Sequence, residues 1–92
     1  MTTHRVKSWT YLFNAVKSGL KKHDFRNVDE RDYKVGDVLV LCEYDQATGQ
    51  FTGNELPCRI TYMTDYRTPC AMSSMALDKK ATVLSIEPIK ES

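Results

Sequence analysis

The run Val38-Leu-Val-Leu-Cys-Glu-Tyr44 constrains the fold more than any other stretch of this chain. Successive side chains of a strand point to opposite faces, so Val38, Val40, Cys42 and Tyr44 line one side and Leu39, Leu41 and Glu43 the other. A strand that is largely apolar on both sides must be covered on both, which places it centrally in a sheet. With 92 residues there is room for one such core, and residues 1–92 are read as a single domain.

The neighbours of that strand follow from local pattern. Val35-Gly-Asp37 opens it, and Asp45 to Asn54, with two glycines, an Asp and an Asn around Phe51, reads as a hairpin connection longer than the tight two-residue kind. Leu56, Cys58, Ile60 and Tyr62 then alternate with Glu55, Arg59 and Thr61 as a returning half-buried strand, with Pro57 near its start or at an edge because it cannot donate to the ladder. Ala81 to Glu87 alternates in the same way, Thr82, Leu84 and Ile86 opposing Val83 and Ser85, and Pro88 ends the pairing. Upstream, Trp9, Leu12, Phe13, Val16 and Leu20 recur at helical spacing, with Ser8 as the expected N-cap and Gly19 as the stop. From Lys22 to Arg26 the helical period is lost and a short strand is expected, with Asp24 and Arg26 on one face and His23 and Phe25 on the other. Asn27 to Lys34 reads as a charged loop, the chain frays after Ile89, and Thr64 to Lys80 has apolar patches without a sustained period, leaving open a second short helix after Pro69. The sum is an α+β fold, mostly antiparallel, as a strongly curved sheet or a partly closed barrel.

Composition excludes several function classes. No window approaches the roughly 18 apolar residues of a membrane span, and the N-terminus MTTHRVKSW lacks the apolar run of a secretory signal, so the expected location is the cytoplasm. Thirteen basic against twelve acidic residues give a formal charge of +1, which argues against wholesale capture of nucleic acid and leaves only a local basic patch. Cys42, Cys58 and Cys70 are odd in number and widely spaced, so reduced thiols are expected, although Cys42 and Cys58 lie symmetrically about the hairpin. Neither His4 nor His23 has the convergent partners of a metal site, and no cofactor is expected. Tyr44 and Tyr62 read as core or half-core. Phe51 either folds back on its own loop or is presented to a partner.

Charge is concentrated in Gly19 to Asp37, where a lysine pair, the Asp24–Arg26 strand and a charged turn follow one another. Taken alone, Asp24 and Arg26 are a structural pair across i and i+2 or part of a binding site, and both readings stand. Gly19, Lys21, Asp24 and Arg26, followed by Tyr33-Lys-Val-Gly-Asp37 and an apolar strand, resemble the signature of ASCH domains, small members of the PUA-like β-barrel superfamily. His4-Arg-Val-Lys7, Glu43-Tyr-Asp45, Thr48-Gly49, Phe51-Thr-Gly53 and Arg59-Ile-Thr-Tyr62 further resemble a group of short bacterial and phage proteins of that type. The resemblance covers nearly the whole chain except residues 64–80.

It implies a barrel with flanking helices and a cleft beside Gly19 to Arg26 that binds RNA or a nucleotide. There Lys21, Arg26 and Lys7 or Lys22 supply donors for phosphate oxygens, and Asp24 accepts from an amino group on a base edge. Some small ASCH proteins remove the acetyl group from N4-acetylcytidine with a lysine, a threonine and a glutamate. Lys21 matches the lysine, Asp24 stands at the threonine position, and the segment supplying the glutamate is shortened here. An amidohydrolase using Lys21 and Asp24 is therefore the alternative. In it, Lys21 needs a lowered pKa, which Lys22 favours and Asp24 opposes. A third reading makes the barrel a scaffold for a protein partner bound through residues 45–54 or 64–80. No membrane partner is expected, and the expected state is a monomer.

Overall fold

The apolar run at Val38 lies inside a five-stranded sheet. In the computed structural model, which describes residues 1–28, 31–72 and 77–90, the elements in chain order are β1 (Thr3–Trp9), α1 (Thr10–Lys17), β2 (His23–Asn27), β3 (Val38–Asp45), β4 (Gln50–Thr64) and β5 (Ala81–Pro88). The strand order is β1-β3-β4-β5-β2, with β1 parallel to β3 and the other pairings antiparallel. Leu39 and Leu41 are fully buried, and Ile60, Cys58, Leu84 and Ile86 from the neighbouring strands meet them with Phe13 and Val16 of α1.

The ladder shifts register between Cys42 and Tyr44 and again between Ile60 and Tyr62. Each irregularity adds twist and bends its strand, so the sheet curls into a half-barrel. The second also corrects the sequence expectation for β4. After the extra residue, Tyr62 turns outward and Met63 takes the buried place that strict alternation assigned to Tyr62. Curling brings the two edge strands toward each other, and side chains close the gap: Arg26 Nη2 donates to the Lys7 carbonyl at 2.7 Å and Arg31 Nη2 to the Arg5 carbonyl at 3.0 Å.

β1 was not legible as a strand. His4, Val6 and Ser8 point inward and Thr3, Arg5, Lys7 and Trp9 outward, but two of the three inward residues are polar. Ser8 is therefore a buried strand residue opposite Glu43, not a helix cap. The helix begins at Thr10 after an extended Trp9 and has no side-chain cap. It ends as expected: the Gly19 amide donates to the Val16 carbonyl and the Leu20 amide to the Ala15 carbonyl, with Gly19 at φ +85°. That left-handed cap turns the chain away, so Leu20 leaves the core stripe and is exposed.

Asp37 ties β1 to β3. Its carboxylate accepts from the Thr2 amide at 3.0 Å, the Lys34 amide at 3.1 Å and His4 Nε2 at 2.8 Å. The hairpin after β3 is tighter than expected. It turns over residues 46–49, with the Gly49 amide donating to the Asp45 carbonyl and the Ala47 amide to Asp45 Oδ1. Gln50 to Asn54 then belong to β4, and Pro57 sits inside that strand opposite Val40. Beyond Thr64 the buried Asp65 accepts from the Arg67 and Thr68 amides and from Thr82 Oγ1, fixing a turn. No second helix occurs among the described residues, and the part of that expectation falling on residues 73–76 lies outside them.

Candidate functional site

The cap at Gly19 delivers the chain to β2, whose alternation sets Asp24 and Arg26 on one face. Arg26 Nε donates to Asp24 Oδ2 at 2.6 Å, while its Nη2 reaches the Lys7 carbonyl. Lys21 Nζ donates to the His23 carbonyl and lies 3.7 Å from Asp24 Oδ1. One carboxylate thus holds two cations at the mouth of the half-barrel. Burial above all, and then the charge of Asp24, pushes the Cys58 thiol up to about 11.

Lys7, Trp9, Leu12, Asp24, Phe25 and Arg26 line a cleft of about 330 Å³ between the end of β1, the start of α1 and β2. Its rim is aromatic, with Phe25 59% and Trp9 41% exposed. Of the five residues expected to bind, Lys7, Asp24 and Arg26 meet here. Lys21 joins them only through Asp24, and it lines a separate depression together with Lys22, Gly19, Thr61 and Ser85. Lys7 Nζ stands over the Tyr44 ring of β3, 4.2 Å from its centroid, a cation–π contact. Trp9 is missed by sequence reasoning because its helical spacing with Leu12, Phe13 and Val16 assigns it to the core. As the last residue of β1 it points outward.

Lys7 also borders a second pocket, of about 300 Å³, lined by Arg5, Cys42, Glu43, Phe51, Asn54 and Glu55. Thr52 Oγ1 and Asn54 Nδ2 each donate to Glu43 Oε1 at 2.9 Å. These bonds, from Asn54 first and then Thr52, outweigh burial and hold the carboxyl below its usual range, with Thr10 and the charge of Lys17 acting the same way. Alternation along β3 places Glu43 on the Leu39 and Leu41 face, the one signal in the sequence that a charged group enters the interior.

The remaining candidates divide clearly. Phe51 is not at a loop tip but opposite Tyr44 in the ladder, their rings edge to face at 5.2 Å. Cys42 and Cys58 lie opposite Glu55 and Leu39 rather than each other, and Cys42, Cys58 and Cys70 are thiols outside any disulfide. Tyr66 and Met72 of the 64–80 segment are exposed, whereas Met75 and Ala76 fall outside the described residues. Among the described residues no three His, Cys, Asp or Glu side chains converge as metal ligands, and no helix is long and apolar enough to cross a membrane.

A curled half-barrel sheet with one short helix and a side-chain-lined mouth defines a small barrel-like α+β domain. The chain belongs to the DUF3850 family, a domain of unknown function, whose profile matches residues 3–86. It is 44% identical over 62 residues to the "Uncharacterized 12.9 kDa protein in GpA 3'region" of Escherichia phage P2, an alignment covering 67% of this chain and about half (54%) of the phage protein. The crystal structure of hypothetical protein PH0355 superposes with a TM-score of 0.60 at 13% identity, over 97% of this chain and all (100%) of the other, a likeness of fold alone.

Proposed function

We propose that this domain is an ASCH-type, PUA-like module that binds single-stranded RNA or a nucleotide in the cleft between Lys7, Asp24 and Arg26. The observation that carries the reading is the pair of exposed rings, Phe25 and Trp9, standing beside two cations at one cavity. Unpaired bases are held by stacking on aromatic faces next to basic side chains, and every base has a face to offer. Arg26 is already bonded to Asp24 and to β1, so it sets the cleft wall, and Lys7 is the lining cation offered to a phosphate. With so few charges engaged, affinity falls only shallowly with salt, by a log–log slope of about −0.7 per phosphate contacted. Lys21 serves this cleft as a tether. Its ammonium is directed at a carbonyl and a carboxylate, an arrangement that suits binding better than the neutral amine that N4-acetylcytidine hydrolysis requires.

The test is an amide chemical-shift titration of labelled protein with a short uridine- and adenine-containing single-stranded RNA, repeated on Phe25→Ala. The expected result is shifts clustered on Lys7, Trp9 and residues 24–26, with Phe25→Ala weakening binding by about five- to a hundredfold, the value of one stacked base. An unshifted cleft, or a Phe25→Ala variant that binds as well as the parent, removes the reading.

A further inference from the structure

Alternation puts Arg5, Lys7 and Trp9 on the outer face of β1, and the ladder sets Trp9 opposite Tyr44 and Tyr44 opposite Phe51. Aromatic residues of three adjacent strands therefore stand in one row across that face of the sheet, at the end nearest the β3–β4 hairpin. Tyr44 is the brace of the row. The Phe51 ring meets it edge to face at 5.2 Å, and Lys7 Nζ lies 4.2 Å from its centroid. Cross-strand pairing of this kind stabilises a sheet, yet it leaves Phe51 58% and Trp9 41% exposed, so both ends of the row keep ring surface open to solvent.

Charge decides what such a row accepts. None of the ion pairs among the described residues includes Lys7, whereas its neighbour on the same face, Arg5, is matched by Glu55. An exposed ammonium beside aromatic rings is the combination that holds a single strand, with phosphate on the cation and bases on the rings. The row is also continuous with the cleft, because Lys7 and Trp9 line the cleft with Phe25 while Lys7 and Phe51 line the neighbouring pocket. Two strand spacings of about 4.8 Å separate the backbones at Trp9 and Phe51, a distance covered by about three steps of a stacked strand at ~3.4 Å each. We infer that the row Trp9–Tyr44–Phe51 carries single-stranded RNA onward from the Phe25 cleft, with a base stacked on Phe51 and a backbone phosphate at Lys7. The ligand is then a strand and not a lone nucleotide. This rests on the RNA-binding reading above and extends it.

The experiment titrates labelled protein with the uridine dinucleotide and the uridine hexanucleotide, then repeats both on Phe51→Leu, which keeps an apolar contact for Tyr44 and removes the aromatic face. The hexanucleotide is expected to shift residues 24–26 together with Tyr44 and Phe51 along one titration curve, and to bind tighter than the dinucleotide. Phe51→Leu is expected to weaken the hexanucleotide by about five- to a hundredfold, the value of one stacked base, while the dinucleotide still shifts residues 24–26 at the parent's affinity. A hexanucleotide that leaves Tyr44 and Phe51 unshifted, or that binds Phe51→Leu as tightly as the parent, overturns the inference, gives this face to a protein partner and leaves the cleft standing. Loss of dinucleotide binding in Phe51→Leu also overturns it, since Phe51 then acts through the fold. Shifts on the row with none at residues 24–26 remove the cleft, and with it the continuous path.

Discussion

Asp37 is the last residue of the Tyr-Lys-Val-Gly-Asp segment, and its surroundings give that segment a structural reason. Burial alone pushes its carboxyl up, but hydrogen bonds from His4 and from the Thr2 and Lys34 amides, with the charge of His4, hold it below the usual range. A carboxyl titrating lower in the folded chain than in the unfolded one stabilises the fold above its unfolded pKa, near 3.8, and loses that stabilisation as pH falls through the folded value. Asp37→Asn is therefore expected to cost ~1–3 kcal/mol at neutral pH, the usual penalty for weakening a buried hydrogen-bonded centre, and to make the decline of stability below pH ~4 less steep. Urea unfolding between pH 2 and 7 measures both. A variant as acid-sensitive as the parent would show that Asp37 does not govern this limb. At this scale the sequence was partly legible. The i, i+2 spacing makes Asp24 and Arg26 neighbours, but no local pattern reveals that Arg26 also reaches the Lys7 carbonyl, because curling of the whole sheet makes that contact.

Among the elements, α1 shows which signals survive. Its end is legible because Gly19 has a conformation that other residues resist, whereas its start is not, because Ser8 and Trp9 read equally well as helix or strand until β3 is there to pair with them. Nothing lies within 4 Å of the site a Cβ would occupy on Gly19, so the strain of Gly19→Ala is confined to the backbone at φ +85°. The expected loss is about 1 kcal/mol, read as a lower denaturant midpoint with an unchanged slope. A neutral result would mean that the helix does not use this cap in solution. The two register shifts were beyond alternation by their nature, since an inserted residue moves every later side chain to the other face. This is why alternation holds along β4 from Leu56 through Ile60 and fails at Tyr62, and the hairpin loop is shorter than its composition suggests because Gln50 and Phe51 pair with Asp45 and Tyr44. The tightness of that turn also decided the fate of Phe51. It became part of a pocket wall instead of a loop tip.

For the whole molecule, the feature with the widest reach is the line where β1 and β2 approach without a backbone ladder, spanned by the guanidinium groups of Arg26 and Arg31. A bare strand edge is a template on which another copy can add, and addition that does not close on itself continues. The carbonyls of Arg5 and Lys7, two of the acceptors such an incoming strand would need, already hold side-chain partners. Removing both partners in an Arg26→Ala/Arg31→Ala chain is expected to leave a folded domain whose sedimentation coefficient rises with concentration, while the parent stays at the mass of one chain. A double variant that sediments like the parent at every concentration would assign these arginines to the wall of the cleft alone. On this account the two arginines act as stoppers, keeping a half-finished cylinder from becoming the first unit of a filament.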